Sequence, residues 1–345
     1  MKIRFLILRY SSLGDVVLTF PVLDFIYSQW PSAEVYYATK IQYQNLIENH
    51  PIKPKVIYLE QNTPDAWINH LKRLKETNAQ FVLDLHSSFR TKLIRLFLSK
   101  KHWAVYPKLH AERQQMVKNK ILSPVPHVII RYLQTFKKWE VPLPKKINYK
   151  IPVSKKDSGF VREFLKKKRI SPFQLVVGIA PGSRWKTKQW IPERFSELAV
   201  RLAEHYAMNI FWFGSQNEIP LIQSIQDKVS SMGITNNGIN LAQDLSLSQS
   251  VAIAERCDVF ISNDSGWMHL AAGRNCKVVA VFGSTVPQLG FYPWGKHSII
   301  ETTNLTCRPC HIHGRNHCPL GHFRCMYDIS VDYVESAISR VIQKM

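Results

Sequence analysis

Short apolar runs separated by longer amphipathic stretches repeat along the whole chain. Runs at 3–8, 35–38, 56–59, 81–85 and 103–106 have the length of buried strands, and the stretches near 16–29, 65–76, 89–98 and 128–138 carry apolar residues at helical spacing. This alternation predicts parallel sheets covered by helices. A Pro/Lys-rich stretch at 141–152 interrupts the pattern and is the best linker candidate. After a helix at 158–168 the same grammar returns, with strands at 175–179, 210–213, 239–241, 259–262 and 278–282. Helices at 192–204, 218–230, 248–255 and 267–272 fall between or beside them. The expected fold is α/β, with two doubly wound Rossmann-like domains, 1–150 and 151–330, facing a cleft, and ligands at the carboxyl ends of the strands. A last helix within 331–345 is expected to pack back across the first domain.

Length supports the two-domain reading, because 345 residues exceed what one core usually organises. Charge adds a partner. The formal net charge is +21, and residues 1–155 hold 25 Lys/Arg against 10 Asp/Glu. A polyanion would be drawn to that half: nucleic acid, phospholipid and phosphorylated glycolipid all suit the field, as does a merely solubilising surface. No apolar run reaches the ~18–20 residues that span a bilayer. The N-terminal apolar stretch, Phe5–Leu8, is too short for a signal peptide and reads as a first strand. The expected compartment is therefore the cytoplasm, where cysteines more often bind metal or stay free than pair.

Three strand ends carry candidate chemistry. After the first strand comes Arg9-Tyr-Ser-Ser-Leu-Gly-Asp15. Asp15 at a helix start is either an N-terminal cap or a general base for an acceptor hydroxyl, and helix-start placement favours its ionised form in both roles. Ser12 and Gly14 beside it are acceptor-contact candidates. After the strand at 175–179 comes Ala180-Pro-Gly-Ser183, then Lys186, Thr187 and Lys188. Gly182 and Ser183 open a loop able to cradle phosphate, with the basic residues adding charge, although a basic surface loop has the same composition. It is not a Walker loop. The third is Asn263-Asp-Ser-Gly266 with His269 one turn later. Asp264, Ser265 and Gly266 sit where a strand meets a helix, a junction that offers free amides to a diphosphate.

Two further stretches stand out. Cys307, Cys310, Cys318 and Cys325 lie within nineteen residues; a structural tetrahedral zinc, free thiols and disulfides each fit. Residues 90–120 hold nine Lys/Arg and one Glu, and Arg90, Lys92 and Arg95 alternate with apolar residues at helical spacing. Such a stretch suits anionic headgroups or acceptor phosphates, or forms a solvated face over a buried stripe.

Taken in order, the segments 12–23, 180–183 with Lys188-Gln-Trp190, Phe213-Gly-Ser215, 263–266 with His269, and Phe282-Gly-Ser-Thr285 resemble glycosyltransferase family 9, the ADP-heptose:lipopolysaccharide heptosyltransferases. The cysteine cluster is similar to one in the second-heptose branch. The resemblance implies the GT-B fold, an inverting mechanism and no cofactor for catalysis. It implies Asp15 as base and Lys188 as the cation stabilising phosphate and charge near the anomeric carbon. Ser183, Thr187, Asp264, Ser265, Gly266 and His269 become donor contacts, and Glu218 a carboxylate on the donor ribose. It also implies an ADP-sugar donor, a lipid A–Kdo acceptor, and peripheral attachment to the cytoplasmic face of the inner membrane, with no nucleic-acid partner. The family pattern has Thr where Ser265 stands and a smaller residue near Trp267, which leaves the donor sugar open. A nucleic-acid-binding protein and a non-catalytic nucleotide-binding scaffold are the rival classes.

Overall fold

A computed structural model of the chain describes residues 2–61, 63–99, 101–243 and 245–344. The chain divides into two compact units: residues 1–109 with 126–154, and residues 110–125 with 155–345. The first unit runs β1 (Arg4–Leu8), α1 (Leu13–Val17), α2 (Phe20–Gln29), β2 (Glu34–Lys40), α3 (Gln44–Glu48), β3 (Lys55–Leu59), α4 (Pro64–Glu76), β4 (Phe81–Asp84), α5 (Phe89–Phe97) and β5 (His102–Val105). Helix α6 (His110–Asn119) belongs to the second unit, and α7 (Val128–Leu133) returns to the first.

The five strands of the first unit pair in parallel in the order β3-β2-β1-β4-β5. Central β1 has Phe5 to Leu8 buried, as a strand covered on both faces must. The single helix expected over 16–29 is broken into α1 and α2. Pro21 in the first turn of α2 supplies no amide donor, and the Thr19 hydroxyl bonds the Val16 carbonyl at 2.7 Å, closing α1.

The second unit continues with α8 (Lys155–Lys167), β6 (Leu175–Ala180), α9 (Pro192–His205), β7 (Met208–Trp212), α10 (Ile219–Ser231), β8 (Ile239–Asn240), α11 (Leu247–Ala254), β9 (Val259–Asn263), α12 (Gly266–Gly273), β10 (Lys277–Phe282), β11 (His297–Glu301), α13 (Arg324–Tyr327) and α14 (Val331–Ile342). Its sheet is also parallel, in the order β11-β10-β9-β6-β7-β8. The order reverses between β6 and β9, the switch point at which such sheets bind ligands.

Two expectations about the domains are corrected. The last helix, expected to pack across the first domain, belongs to the second unit, where Val331, Val334, Ala337 and Ile338 join the core with Phe195, Leu198 and Val281. The division at 150 also misses residues 110–125. Met116 of α6 packs with Val286, Leu289 and Ile312, and the buried Arg113 guanidinium donates to the Ile312 carbonyl at 3.2 Å. Lys120 donates to the Pro309 carbonyl at 2.7 Å. The basic stretch 90–120 is thus divided between the two units, 90–109 in the first and 110–120 in the second.

Candidate active site

In the second unit, the motifs at the ends of β6 and β9 are stitched together by Asn263. Its side-chain amide donates to the Pro181 carbonyl at 2.7 Å, and its side-chain oxygen accepts from the Trp190 amide at 3.0 Å. Gln189 adds a bond to the Ser183 carbonyl at 2.6 Å. Gly182 is required for a different reason: a Cβ there would fall 1.8 Å from Glu218 Oε1. Only glycine lets the Glu218 carboxylate lie against this loop. The other oxygen of Glu218 accepts from the Ser215 amide and hydroxyl at 2.7 and 2.9 Å, capping the turn before α10.

Lys188 and Asp264 form the electrostatic centre of this region. Lys188 Nζ stands 2.7 Å from Asp264 Oδ2, and the two side chains are only 13% and 8% exposed. Thr285 donates to the same oxygen at 2.7 Å. The Asp264 amide donates to the Val281 carbonyl and its own carbonyl accepts from the Ser183 hydroxyl at 3.4 Å. Asp264 was expected to contact a diphosphate. Its amide is committed to the Val281 carbonyl, and its carboxylate is paired with Lys188. Lys186, on the same loop, is exposed.

The aliphatic stem of Lys188 has its own wall. Gly314 has φ +101°, and a Cβ there would meet Lys188 Cδ and Trp185 Cβ, each at 2.8 Å. Thr187 is corrected as well. Its hydroxyl donates to the Arg315 carbonyl at 2.9 Å and accepts from the Arg315 amide at 2.8 Å and the Ser284 hydroxyl at 2.9 Å. A hydroxyl has one proton and two lone pairs, so nothing is left for a ligand. Thr187 fastens the cysteine-rich segment to the Lys188 loop.

Helix α12 begins beside this pair. Ser265 is its N-terminal cap, with its hydroxyl 3.1 Å from that of Ser262, and Ser265 and Gly266 are half-buried. The first amides of a helix have no partner within it, and its dipole is positive at that end. His269 is buried one turn later. Trp267 packs against Phe213, ring centroids 5.0 Å apart, so its bulk fills core.

In the first unit, Asp15 is held from two sides. Arg9 Nη2 lies 2.7 Å from Asp15 Oδ2, and the Ser12 amide and hydroxyl donate to the same oxygen at 3.1 and 2.8 Å. Asp15 therefore does cap α1, and its carboxylate remains 21% exposed. Burial works against the Arg9 charge, yet the neighbouring Asp15 carboxylate helps to keep the Arg9 pKa raised. Sequence reasoning missed Arg9; an arginine directly after an apolar strand was the available signal. Ser12 is exposed and Gly14 buried. Among the helix α5 candidates, Lys92 is exposed, while Arg90 and Arg95 lie over the Trp67 and Trp103 rings at 5.4 and 6.0 Å.

Of the three readings open for the four cysteines, the structure has them as free thiols rather than grouped around a metal site or paired. Among the described residues no three His, Cys, Asp or Glu are grouped to hold an ion. The Cys310 thiol donates to the Cys307 carbonyl at 3.2 Å, and Cys325 is buried, its pKa pushed up to about 12 by that burial. All six cysteines are free thiols. The segment is anchored instead by buried Arg308, which donates to the carbonyls of Gly283, Thr302 and Thr285 and to Glu301.

Residues 67–319 match the model of glycosyltransferase family 9 (heptosyltransferase). The chain belongs to this family. It is therefore a glycosyltransferase, and its two parallel sheets are those of the GT-B heptosyltransferase fold. Lipooligosaccharide heptosyltransferase 2 of Campylobacter jejuni is 25% identical over 334 residues, 95% of this chain and 96% of that protein. The solved E. coli ADP-heptose lps heptosyltransferase II superposes with a TM-score of 0.75 at 20% identity, covering 100% of this chain and 99% of the other. E. coli heptosyltransferase WaaC with ADP gives 0.68 at 17% identity, covering 98% of this chain and 100% of the other. Family membership removes the rival class of non-catalytic scaffold.

Proposed function

We propose that this glycosyltransferase moves heptose, or a closely related sugar, from an ADP-sugar to the lipid A–Kdo inner core of lipopolysaccharide. It works with inversion, at the cytoplasmic face of the inner membrane. The observation that carries the reading is the Lys188–Asp264 pair at 2.7 Å, beside the start of α12. An ammonium ion has three protons, so Lys188 can give one to Asp264 and keep others for a departing diphosphate. The amides of Ser265 and Gly266 add positive potential where that charge develops. Ser183 and His269 are assigned to the donor, and Glu218 to its ribose. A relative named heptosyltransferase 2 and a similar structure solved with ADP support the choice of sugar and nucleotide.

Asp15 is the base in this scheme. It takes the proton of the acceptor hydroxyl as the hydroxyl oxygen bonds to the anomeric carbon; the bond from that carbon to the diphosphate breaks on the opposite face, and ADP leaves. The ion pair with Arg9 and the bonds from Ser12 fix the carboxylate's orientation. Ser12 and Gly14, together with Arg90, Lys92 and Arg95, are assigned to the acceptor. Among the described residues no helix is long and apolar enough to cross a membrane, so contact with a lipid-anchored acceptor falls to the protein surface. Mass spectrometry of core glycolipid from a strain lacking the gene tests the reading: one heptose and everything beyond it should be missing. An unchanged core would refute it.

A further inference from the structure

Helix α5 is buried along one stripe and apolar along the opposite one. Thr91, Ile94 and Leu98 face inward, with Ile94 and Leu98 in the core of the first unit. At 3.6 residues per turn, Phe89, Leu93 and Leu96 form a second stripe on the far side, spaced i, i+4, i+7. These side chains are 74%, 50% and 74% exposed, and Phe97 beside them is 47% exposed. A surface helix normally turns polar residues to water; here the most outward positions are the greasiest. Basic groups flank the stripe: Lys92 on the helix, Arg90 and Arg95 at its base, and Lys75 of α4 5.9 Å from the Phe97 ring. Residues 85–111 contain six Lys/Arg and no Asp or Glu.

We infer that α5 is an interfacial helix that sinks Phe89, Leu93 and Leu96 into the headgroup–acyl boundary of an anionic lipid surface, with the flanking cations on phosphates. The occupant is set by charge and shape. The stripe stands on a convex helix rather than in a groove, and apolar insertion ringed by cations is the arrangement that binds anionic bilayers. The inference deepens the proposed function, since a lipid-anchored acceptor presents its sugars at such a surface, but it can be tested without any acceptor.

The experiment uses the full chain in flotation with phosphatidylcholine vesicles, with and without phosphatidylglycerol. Wild type should float with the anionic vesicles and do so less as salt is raised. Phe89→Ser/Leu93→Ser/Leu96→Ser should lose at least about tenfold in partitioning, because the burial of three apolar side chains is removed. Its circular dichroism should be unchanged. Leu96→Ser alone, at a largely exposed side chain, should weaken partitioning in the same direction and stands in if the triple variant does not fold. Lys92→Gln/Arg95→Gln should abolish the preference for phosphatidylglycerol. Transfer to a water-soluble, delipidated acceptor should survive the triple apolar substitution, while transfer to vesicle-embedded acceptor falls. A failure of the heptosyltransferase reading would instead show as no transfer by wild type to either acceptor, with lipid binding intact. Equal flotation of wild type and triple variant, no flotation of wild type, or lipid-free self-association abolished by the triple substitution would overturn the inference.

Discussion

Lys188 Nζ and Asp264 Oδ2 stand 2.7 Å apart in a largely buried pair, so the cation expected to meet the leaving diphosphate is held by an anion from the next motif. Breaking such a pair leaves an uncompensated charge. Asp264→Asn should therefore lower kcat/KM by at least about tenfold. Lys188→Ala should do likewise, and the double variant should be little worse than either single one. Steady-state kinetics on the four proteins checks this. Additive losses would mean that the two residues act separately.

Gly314 touches Lys188 from the cysteine-rich segment. Gly314→Ala places a Cβ 2.8 Å from the lysine stem at a backbone φ of +101°. Activity should fall with the ammonium's displacement, while the global fold survives. A loss of kcat/KM with an unchanged circular dichroism spectrum is the expected outcome.

Thr187 has a structural role, because its hydroxyl bonds Arg315 and Ser284. Thr187→Val keeps the volume and deletes these bonds. It should cost about 1–3 kcal/mol of stability by denaturant unfolding. ADP affinity in the folded protein should change little.

His70 and His86 give the first unit an acid sensitivity. Burial, more than any other cause, pushes both pKa values down from 6.5 to about 4. Between those limits the unfolded chain binds protons that the folded chain refuses, so stability is lost as pH falls from about 6.5 toward 4 and regained on the return. The unfolding midpoint of His70→Gln/His86→Gln should vary less over this window than that of wild type.

The strands were legible because parallel strands buried on both faces are continuous apolar runs: β1, β6, β9 and β10 lie within a residue or two of their expected positions. Helix α6 left no such trace, since its buried residues are Arg113 and Met116 in a polar sequence. Its attachment to Ile312 is a contact across 199 positions that no local pattern encodes. The site divided in the same way. Asp15, Ser183, Lys188 and the 263–266 motif announced themselves as polar residues and glycines at strand ends. The committed hydroxyl of Thr187 and the wall at Gly314 depend on the cysteine-rich segment folding back, where spacing alone allowed zinc, free thiols or disulfides, and the Lys188–Asp264 pair joins two separate motifs.

The most direct test concerns Asp15, whose carboxylate is assigned the acceptor proton while Arg9 and Ser12 hold it in place. The measurement is single-turnover transfer from ADP-heptose to a delipidated inner-core acceptor by wild type and Asp15→Asn, with ADP binding followed by calorimetry. The expected result is transfer slowed by about 10²–10⁴ at unchanged ADP affinity. Near-normal transfer by Asp15→Asn would contradict the account and leave Asp15 as a helix cap alone.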